Sequence, residues 1–138
     1  MSKEEMIDLL NSDLTKEYAA AVQYINHAAL VTGAQYQAMQ KELVVHANEE
    51  IGHAIVLAEQ IAGLGGNPTI DVDKRYTSDD TVEMLKQDLT GELGAVKRYK
   101  ERIAQAEEMG EYGLKRALED ILIMEEEHAR DLQAALGM

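Results

Sequence analysis

Apolar residues recur every three or four positions along four long stretches of the chain, which is the spacing of one face of an α-helix. Glycines and the single proline separate these stretches, at Gly33, at 63–68 and at 110–113. The pattern predicts helices at about 3–32, 36–62, 79–109 and 112–136. The second and third helices are joined by an extended connection of about fifteen residues, whereas the other connections are short turns.

Four long helices with one long connection are typical of an all-α protein, an antiparallel four-helix bundle with a crossover between helices 2 and 3. A chain of 138 residues has the length of one domain, so we expect residues 1–138 to form a single bundle. Adding 75 to the stripe positions of the first half gives those of the second half. We interpret the chain as two duplicated helical hairpins, at about 3–62 and 79–136, related by a pseudo-two-fold axis.

Each apolar stripe contains one glutamate where an apolar residue is expected. An ionised glutamate in a bundle core costs several kcal/mol unless it is paired, and four together repel one another. They could be protonated, because burial and like charge both raise the pKa of a carboxyl group. Two divalent cations would cancel the four charges more simply. The four residues are Glu17, Glu50, Glu92 and Glu125.

Two histidines follow these glutamates at the spacing that places both side chains on one helix face, in the pairs Glu50–His53 and Glu125–His128. Each pair can bind one ion, and the glutamates of helices 1 and 3 can chelate or bridge. Mixed carboxylate and imidazole ligands favour iron or manganese over zinc, calcium or magnesium. The sequence therefore predicts a dinuclear metal site with six ligands: Glu17, Glu50, His53, Glu92, Glu125 and His128.

Two tyrosines lie two turns after the single glutamates of their helices, Tyr24 in helix 1 and Tyr99 in helix 3. Either they hydrogen-bond a ligand or donate an electron during oxygen chemistry, or they fill the core of a chain that has no Phe or Trp.

Other polar residues near the predicted site admit simpler explanations. We interpret His46, one turn before the helix 2 glutamate, as a surface histidine rather than an additional metal contact or part of an entry path. His27 is expected to be structural. Asp13 and Asp88 are expected either to accept hydrogen bonds near the ligands or to lie at a polar end of the bundle.

Composition and charge further limit the possible metal ligands and partners of this chain. The absence of cysteine excludes disulfides, zinc fingers and cysteine-held iron–sulfur clusters, which leaves oxygen and imidazole as ligands. The formal charge of −13 argues against nucleic acid as a partner, and two bound divalent ions would leave about −9, which still attracts Fe²⁺. No apolar run approaches the ~20 residues of a membrane helix. We expect a cytoplasmic protein without membrane partners.

The motifs resemble those of the ferritin-like superfamily, and most closely those of bacterioferritins, over nearly the whole chain to about residue 136. They are Glu50-x-x-His53-Ala54, the Gly/Asn/Pro crossover, Asp88-Leu89-x-x-Glu92-Leu93 and Glu125-Glu126-x-His128. The resemblance implies a di-iron ferroxidase centre that oxidises Fe²⁺ with O₂ or hydrogen peroxide for iron storage or detoxification. It carries over the six predicted ligands, with Tyr24 as the nearby tyrosine.

Two departures from the bacterioferritin pattern change what is expected. Ile51 stands where bacterioferritins have the methionine that binds haem, so no haem is expected. The chain ends ten residues after His128, before the fifth helix that helps to close the 24-subunit bacterioferritin shell. We expect a homo-oligomer, a dimer at least.

The resemblance leaves several alternatives open. The same dinuclear site suits a peroxidase, a dimanganese catalase or an O₂-activating oxidase, and the residues do not separate iron from manganese. A metal-free helical binding module with protonated glutamates is the alternative from another class.

Overall fold

The computed structural model describes all 138 residues and contains four α-helices and no strand. The helices are α1 (Lys3–Leu30), α2 (Gln37–Gly63), α3 (Thr81–Glu108) and α4 (Tyr112–Ala135). The all-α bundle is confirmed, and the predicted helix ends are displaced by no more than two residues. A short 3₁₀ turn at Ala34–Tyr36 was not predicted, because three residues are too few to show a period. No helix has the apolar length needed to span a membrane.

Side chains cap the starts of two helices. The hydroxyl of Ser2 accepts a hydrogen bond from the Glu5 amide at 3.1 Å, and the carboxylate of Asp80 accepts one from the Glu83 amide at 2.9 Å. Because Asp80 is the N-cap, α3 begins at Thr81 rather than at the predicted residue 79.

The apolar core consists of two clusters, one on each side of the glutamate layer. Helix α1 packs mainly against α2, and α3 mainly against α4. Each helix contributes to both clusters, with its stripe glutamate between the two contributions. The first cluster is Met6, Leu10, Leu14, Ala54, Leu57, Ile61, Ala95, Tyr99, Ala106, Leu114, Leu118 and Ile121. The second is Tyr24, Val31, Met39, Leu43, Ala47, Met84, Leu85, Leu89, Ala129 and Leu132.

Buried polar contacts join α1 to α3. The carboxylate of Asp13 accepts a hydrogen bond from Arg102 Nε at 2.8 Å. That of Asp88 contacts His27 Nδ1 at 2.9 Å and accepts one from the Gln23 amide at 2.9 Å. His27 is thus structural, as predicted. Neither aspartate lies at a polar bundle end or bonds a predicted ligand, because the opposite helix supplies a partner for each.

The crossover lies along α1 and is held by its side chains. The side chain of Asn11 accepts a hydrogen bond from the Thr69 amide at 2.8 Å, and Tyr18 donates one to the Thr69 carbonyl at 3.0 Å. Further along, the Tyr76 amide donates to the Gln23 side chain at 2.9 Å. The connection is therefore fixed in place although it has no regular secondary structure.

The start of the crossover contains one close approach that requires a glycine. A Cβ atom added to Gly66 would lie 2.7 Å from a methyl carbon of Ile7 and 3.0 Å from one of Ile61. We expect Gly66→Ala to destabilise the metal-free protein by about 1–3 kcal/mol, because both isoleucine side chains must shift. The measurement is the urea midpoint, followed by circular dichroism. Gly63→Ala is the matched control, since its added Cβ meets no atom within 4 Å. Equal midpoints for the two variants would contradict the prediction.

Candidate metal centre

The six predicted ligand residues meet in the middle of the bundle. Each helix contributes its stripe glutamate, and α2 and α4 each add the histidine one turn later. All six side chains are buried among the four helices: Glu17, Glu50, His53, Glu92, Glu125 and His128.

Four of these residues form a first group around His53, whose Nδ1 atom points into it. That atom lies 3.0 Å from Glu50 Oε1, 3.3 Å from Glu125 Oε1 and 3.7 Å from Glu17 Oε2. The ligand atoms of the group all lie within 4.8 Å of one another. Three helices therefore present four ligand atoms to one point.

A second group surrounds His128 and repeats the arrangement. Its Nδ1 atom lies 3.4 Å from Glu92 Oε1 and 3.5 Å from both Glu50 Oε1 and Glu125 Oε1. Glu50 and Glu125 therefore belong to both groups, whereas Glu92 belongs to one, as Glu17 does. The spacing allows Glu17 and Glu92 either to chelate one ion or to bridge two. The geometry favours chelation for both, and it favours the glutamates of α2 and α4 as the shared ligands.

Five of the buried atoms in the centre have no hydrogen-bond partner within the protein. Burying a polar atom without a hydrogen bond costs about 1–3 kcal/mol, and more when it is charged. Cations shared by these atoms would compensate that cost, and two divalent ions would cancel four carboxylate charges. The donor set thus fits a dinuclear centre of iron or manganese. The unpartnered atoms are Glu17 Oε2, Glu50 Oε1, Glu92 Oε2, Glu125 Oε1 and His53 Nδ1.

Each of the two predicted tyrosines hydrogen-bonds the single glutamate of the other half. Tyr24 of α1 donates to Glu92 Oε1 at 2.6 Å, and Tyr99 of α3 donates to Glu17 Oε1. Burial and neighbouring carboxylates raise the pKa of both phenols well above its usual value, so both remain donors. The phenols fix the orientation of the two glutamates that belong to one group only.

The outer nitrogens of the two histidines have different neighbours. His53 Nε2 lies 3.3 Å from Met124 Sδ, whereas His128 Nε2 lies 3.6 Å from Glu49 Oε1. Positions 49 and 124 correspond under the addition of 75. A thioether is a neutral and weak hydrogen-bond acceptor, whereas a carboxylate is a charged and strong one. Sequence reasoning missed both residues because neither interrupts an apolar stripe.

The prediction that His46 is a surface histidine is wrong. Its side chain is fully buried, and its ring stacks on that of His128 with the centroids 3.9 Å apart. Its edge contact with Tyr24 has a centroid distance of 5.1 Å. Position 46 faces inwards because it lies one turn before Glu50. The available signal was the corresponding position 121, which holds the buried Ile121.

Burial and mutual repulsion disfavour four ionised carboxylates in the metal-free centre. Burial, followed by the charges of the other glutamates, raises the pKa of Glu50 and Glu92 well above the usual value. Burial also raises the pKa of Glu17. For Glu125, burial acts in the same direction, but the nearby His53 and Glu50 side chains outweigh it and lower the pKa.

The two histidines have opposite pKa shifts. Burial lowers the pKa of His53, but the nearby carboxylates of Glu125 and Glu17 outweigh this and raise it to about 10. For His128, burial and the neighbouring His46 lower the pKa to about 4. At neutral pH the metal-free centre therefore holds one imidazolium, whose proton a metal ion must displace.

A cavity of about 530 Å³ leads from the surface between α1 and α3 to the glutamates. Its inner wall includes the four stripe glutamates and Tyr24. Its outer wall mixes both signs of charge, from Lys16, Asp73, Lys74, Glu83 and Lys86. The centre is thus open to small molecules and ions from this side.

Comparison with known proteins places this geometry among ferritins. A family model described as "Ferritin-like domain" matches residues 7–138. A bacterioferritin of Rhodobacter capsulatus is 30% identical over 97% of this chain and 84% of its own length. A ferritin-like di-iron-carboxylate protein of Bacillus anthracis superimposes with a TM-score of 0.93, at 36% identity over 99% of both chains. A dodecameric thioferritin of Bacteroides fragilis gives 0.92, at 33% identity over 99% of this chain and 87% of that one.

The raised pKa of His53 gives a prediction of how the stability of the metal-free protein depends on pH. Between the unfolded pKa of 6.5 and the folded value of about 10, the folded chain binds a proton that the unfolded chain does not. The free energy of unfolding therefore falls as pH rises through this window.

The measurement is the melting temperature of chelator-treated protein at about pH 7 and pH 9. We expect a lower value at the higher pH, and a smaller difference in His53→Asn, which cannot hold the proton. A melting temperature that rises with pH in the wild-type chain would contradict the assignment.

Proposed function

The chain belongs to the ferritin-like family, and we propose that it is a ferroxidase that oxidises Fe²⁺ with O₂ or hydrogen peroxide for iron storage or detoxification. One observation carries the proposal: two groups of buried ligand atoms share the carboxylates of Glu50 and Glu125. Shared carboxylates bring two Fe²⁺ ions close enough to give up their electrons to one oxidant molecule. The bacterioferritin and di-iron relatives support the same substrate.

The residues of the centre have separable tasks in this reaction. Glu50 and Glu125 hold both Fe²⁺ substrates, whereas Glu17 with His53 and Glu92 with His128 each hold one. Two Fe²⁺ ions release one electron each, which, with two protons, reduces one O₂ to hydrogen peroxide or one hydrogen peroxide to two water molecules. The α1–α3 cavity admits the oxidant.

Tyr24 and Tyr99 act in this proposal as positioning residues. Each phenol donates to a carboxylate oxygen of Glu92 or Glu17, and this leaves the other oxygen of that carboxylate without a hydrogen bond. No hydrogen bond competes with Fe²⁺ for these free oxygens, Glu17 Oε2 and Glu92 Oε2. A phenol with a raised pKa keeps its proton and maintains this division.

Removing one shared carboxylate tests the proposal. We expect Glu50→Gln and Glu125→Gln each to slow aerobic Fe²⁺ oxidation at least tenfold, because both substrate ions lose a ligand. The measurement is the rise of ferric absorbance after Fe²⁺ is mixed with the protein. Glu126→Gln, which changes the adjacent carboxylate outside the centre, is the matched control and should keep the wild-type rate. Wild-type oxidation no faster than in buffer would overturn the proposal.

The relatives favour iron as the metal. They also favour a ferroxidase over the peroxidase, dimanganese catalase and oxidase alternatives. The donor set alone suits manganese equally well. Peroxide consumption by manganese-loaded protein, compared with Fe²⁺ oxidation by the same preparation, distinguishes the two metals directly.

We also propose that the chain forms a homo-oligomer through the outer face of α1 and α2. An apolar groove of about 480 Å³ lies there, lined only by apolar side chains. Apolar patches of this kind on soluble proteins mark interaction sites. The dodecameric relative from Bacteroides fragilis favours a second copy of this chain as the occupant. The exposed aliphatic residues of this face are Val22, Ile25, Ile51, Ile55, Ile70 and Val72.

A charge placed on this face should prevent assembly. We expect Ile55→Glu to lower the solution mass measured by light scattering, because a carboxylate would be buried in the interface without a partner. Ile123→Glu is the matched control, since Ile123 is equally exposed on α4, outside the groove. A wild-type protein that is monomeric at all concentrations, or an Ile55→Glu variant of unchanged mass, would refute the interface.

A further inference from the structure

A third group of potential ligands lies outside the dinuclear centre, between α2 and α4. The Nε2 atom of His46 lies 3.4 Å from Glu42 Oε1 and 3.4 Å from Asp131 Oδ2. The three ligand atoms are all within 4.8 Å of one another. The two carboxylates are partly exposed, so this group connects the protein surface with a buried imidazole.

The two 3.4 Å distances from His46 Nε2 fall within the range between ligand atoms that share one cation. Ligand atoms at about 2.1 Å from one ion are about 3.0–3.4 Å apart in octahedral or tetrahedral geometry. Glu42 and Asp131 form no ion pair with a lysine or arginine in the structure, and their only close cationic candidate is His46 itself. Two carboxylates thus converge without a basic side chain to compensate their charge.

His46 supplies an independent reason to expect a ligand. Its side chain is fully buried, and its Nε2 atom faces two carboxylate oxygens at 3.4 Å although one N–H can donate to only one of them. The ring is fixed between His128 and Tyr24, with Nε2 aimed at both carboxylates. Packing alone does not require a histidine here, because the corresponding position of the other half is filled by Ile121.

We propose that Glu42, His46 and Asp131 form a third metal site, which binds one divalent first-row cation such as Fe²⁺, Mn²⁺ or Co²⁺. Two carboxylate oxygens and one imidazole nitrogen provide three ligands, and water completes the shell on the exposed side. The site lies next to His128, on the α2–α4 side of the bundle, whereas the cavity opens between α1 and α3. It goes beyond the ferroxidase proposal and does not depend on it.

Counting bound ions tests the site without any activity measurement. The probe is Co²⁺, equilibrated with the full chain by anaerobic dialysis and counted by elemental analysis. We expect three ions per wild-type chain and two in the double variant Glu42→Gln/Asp131→Asn, which keeps the stacked rings of His46 and His128. Asp120→Asn, which changes an exposed carboxylate elsewhere on α4, is the matched control and should retain three.

A second double variant separates this proposal from the dinuclear one. Glu50→Gln/Glu125→Gln should lose the two ions of the central groups and still bind one. Anomalous diffraction from crystals soaked in Mn²⁺ should then show a peak within bonding distance of His46 Nε2. No anomalous peak at His46, or a count in Glu42→Gln/Asp131→Asn equal to that of the wild-type chain, would each overturn the third site. Loss of the central ions alone would not affect it.

Discussion

The repulsion among four carboxylates buried at one level of the bundle is the constraint on which the rest of the structure depends. Each helix carries one of them, between two apolar segments that pack into separate clusters. Packing of these clusters above and below the layer prevents the helices from sliding to expose a glutamate. The metal-free protein partly relieves the repulsion by raising carboxyl pKa values and by holding a proton on His53. Bound cations would replace that proton with a larger compensating charge.

Contacts between the two halves of the chain, rather than contacts within each hairpin, determine where the ligands point. Tyr24 of α1 orients Glu92 of α3, and Tyr99 of α3 orients Glu17 of α1. Both ligand groups take residues from both hairpins. The Asp13–Arg102 ion pair and the contacts of Asp88 reinforce the same pair of helices. The centre is therefore a property of the complete bundle, and a single hairpin cannot form either group.

The sequence predicted the residues whose type conflicts with their register, because a glutamate on an apolar stripe is visible without coordinates. It did not reveal which of the glutamates are shared, since sharing depends on the positions of four helix axes. It also misjudged His46, because a polar residue type was given more weight than its inward register. The partners of Asp13 and Asp88 on the opposite helix were not predicted, for a related reason. Tertiary packing determines which side chain meets a buried charge, and the local sequence does not show it.

Two departures from internal symmetry beside the ligands lie along α2 and α4. The ligands, their tyrosines and the aspartates of α1 and α3 repeat at the interval of 75 residues, but Glu49 corresponds to Met124 and His46 to Ile121. His128 therefore has a carboxylate and a second imidazole beside it, whereas His53 has a thioether. The opposite pKa shifts of the two histidines are consistent with these different neighbours. Two ions held by equivalent sets of ligands would thus occupy unequal surroundings, and the one beside His128 would lie nearest to the acidic residues of the α2–α4 surface.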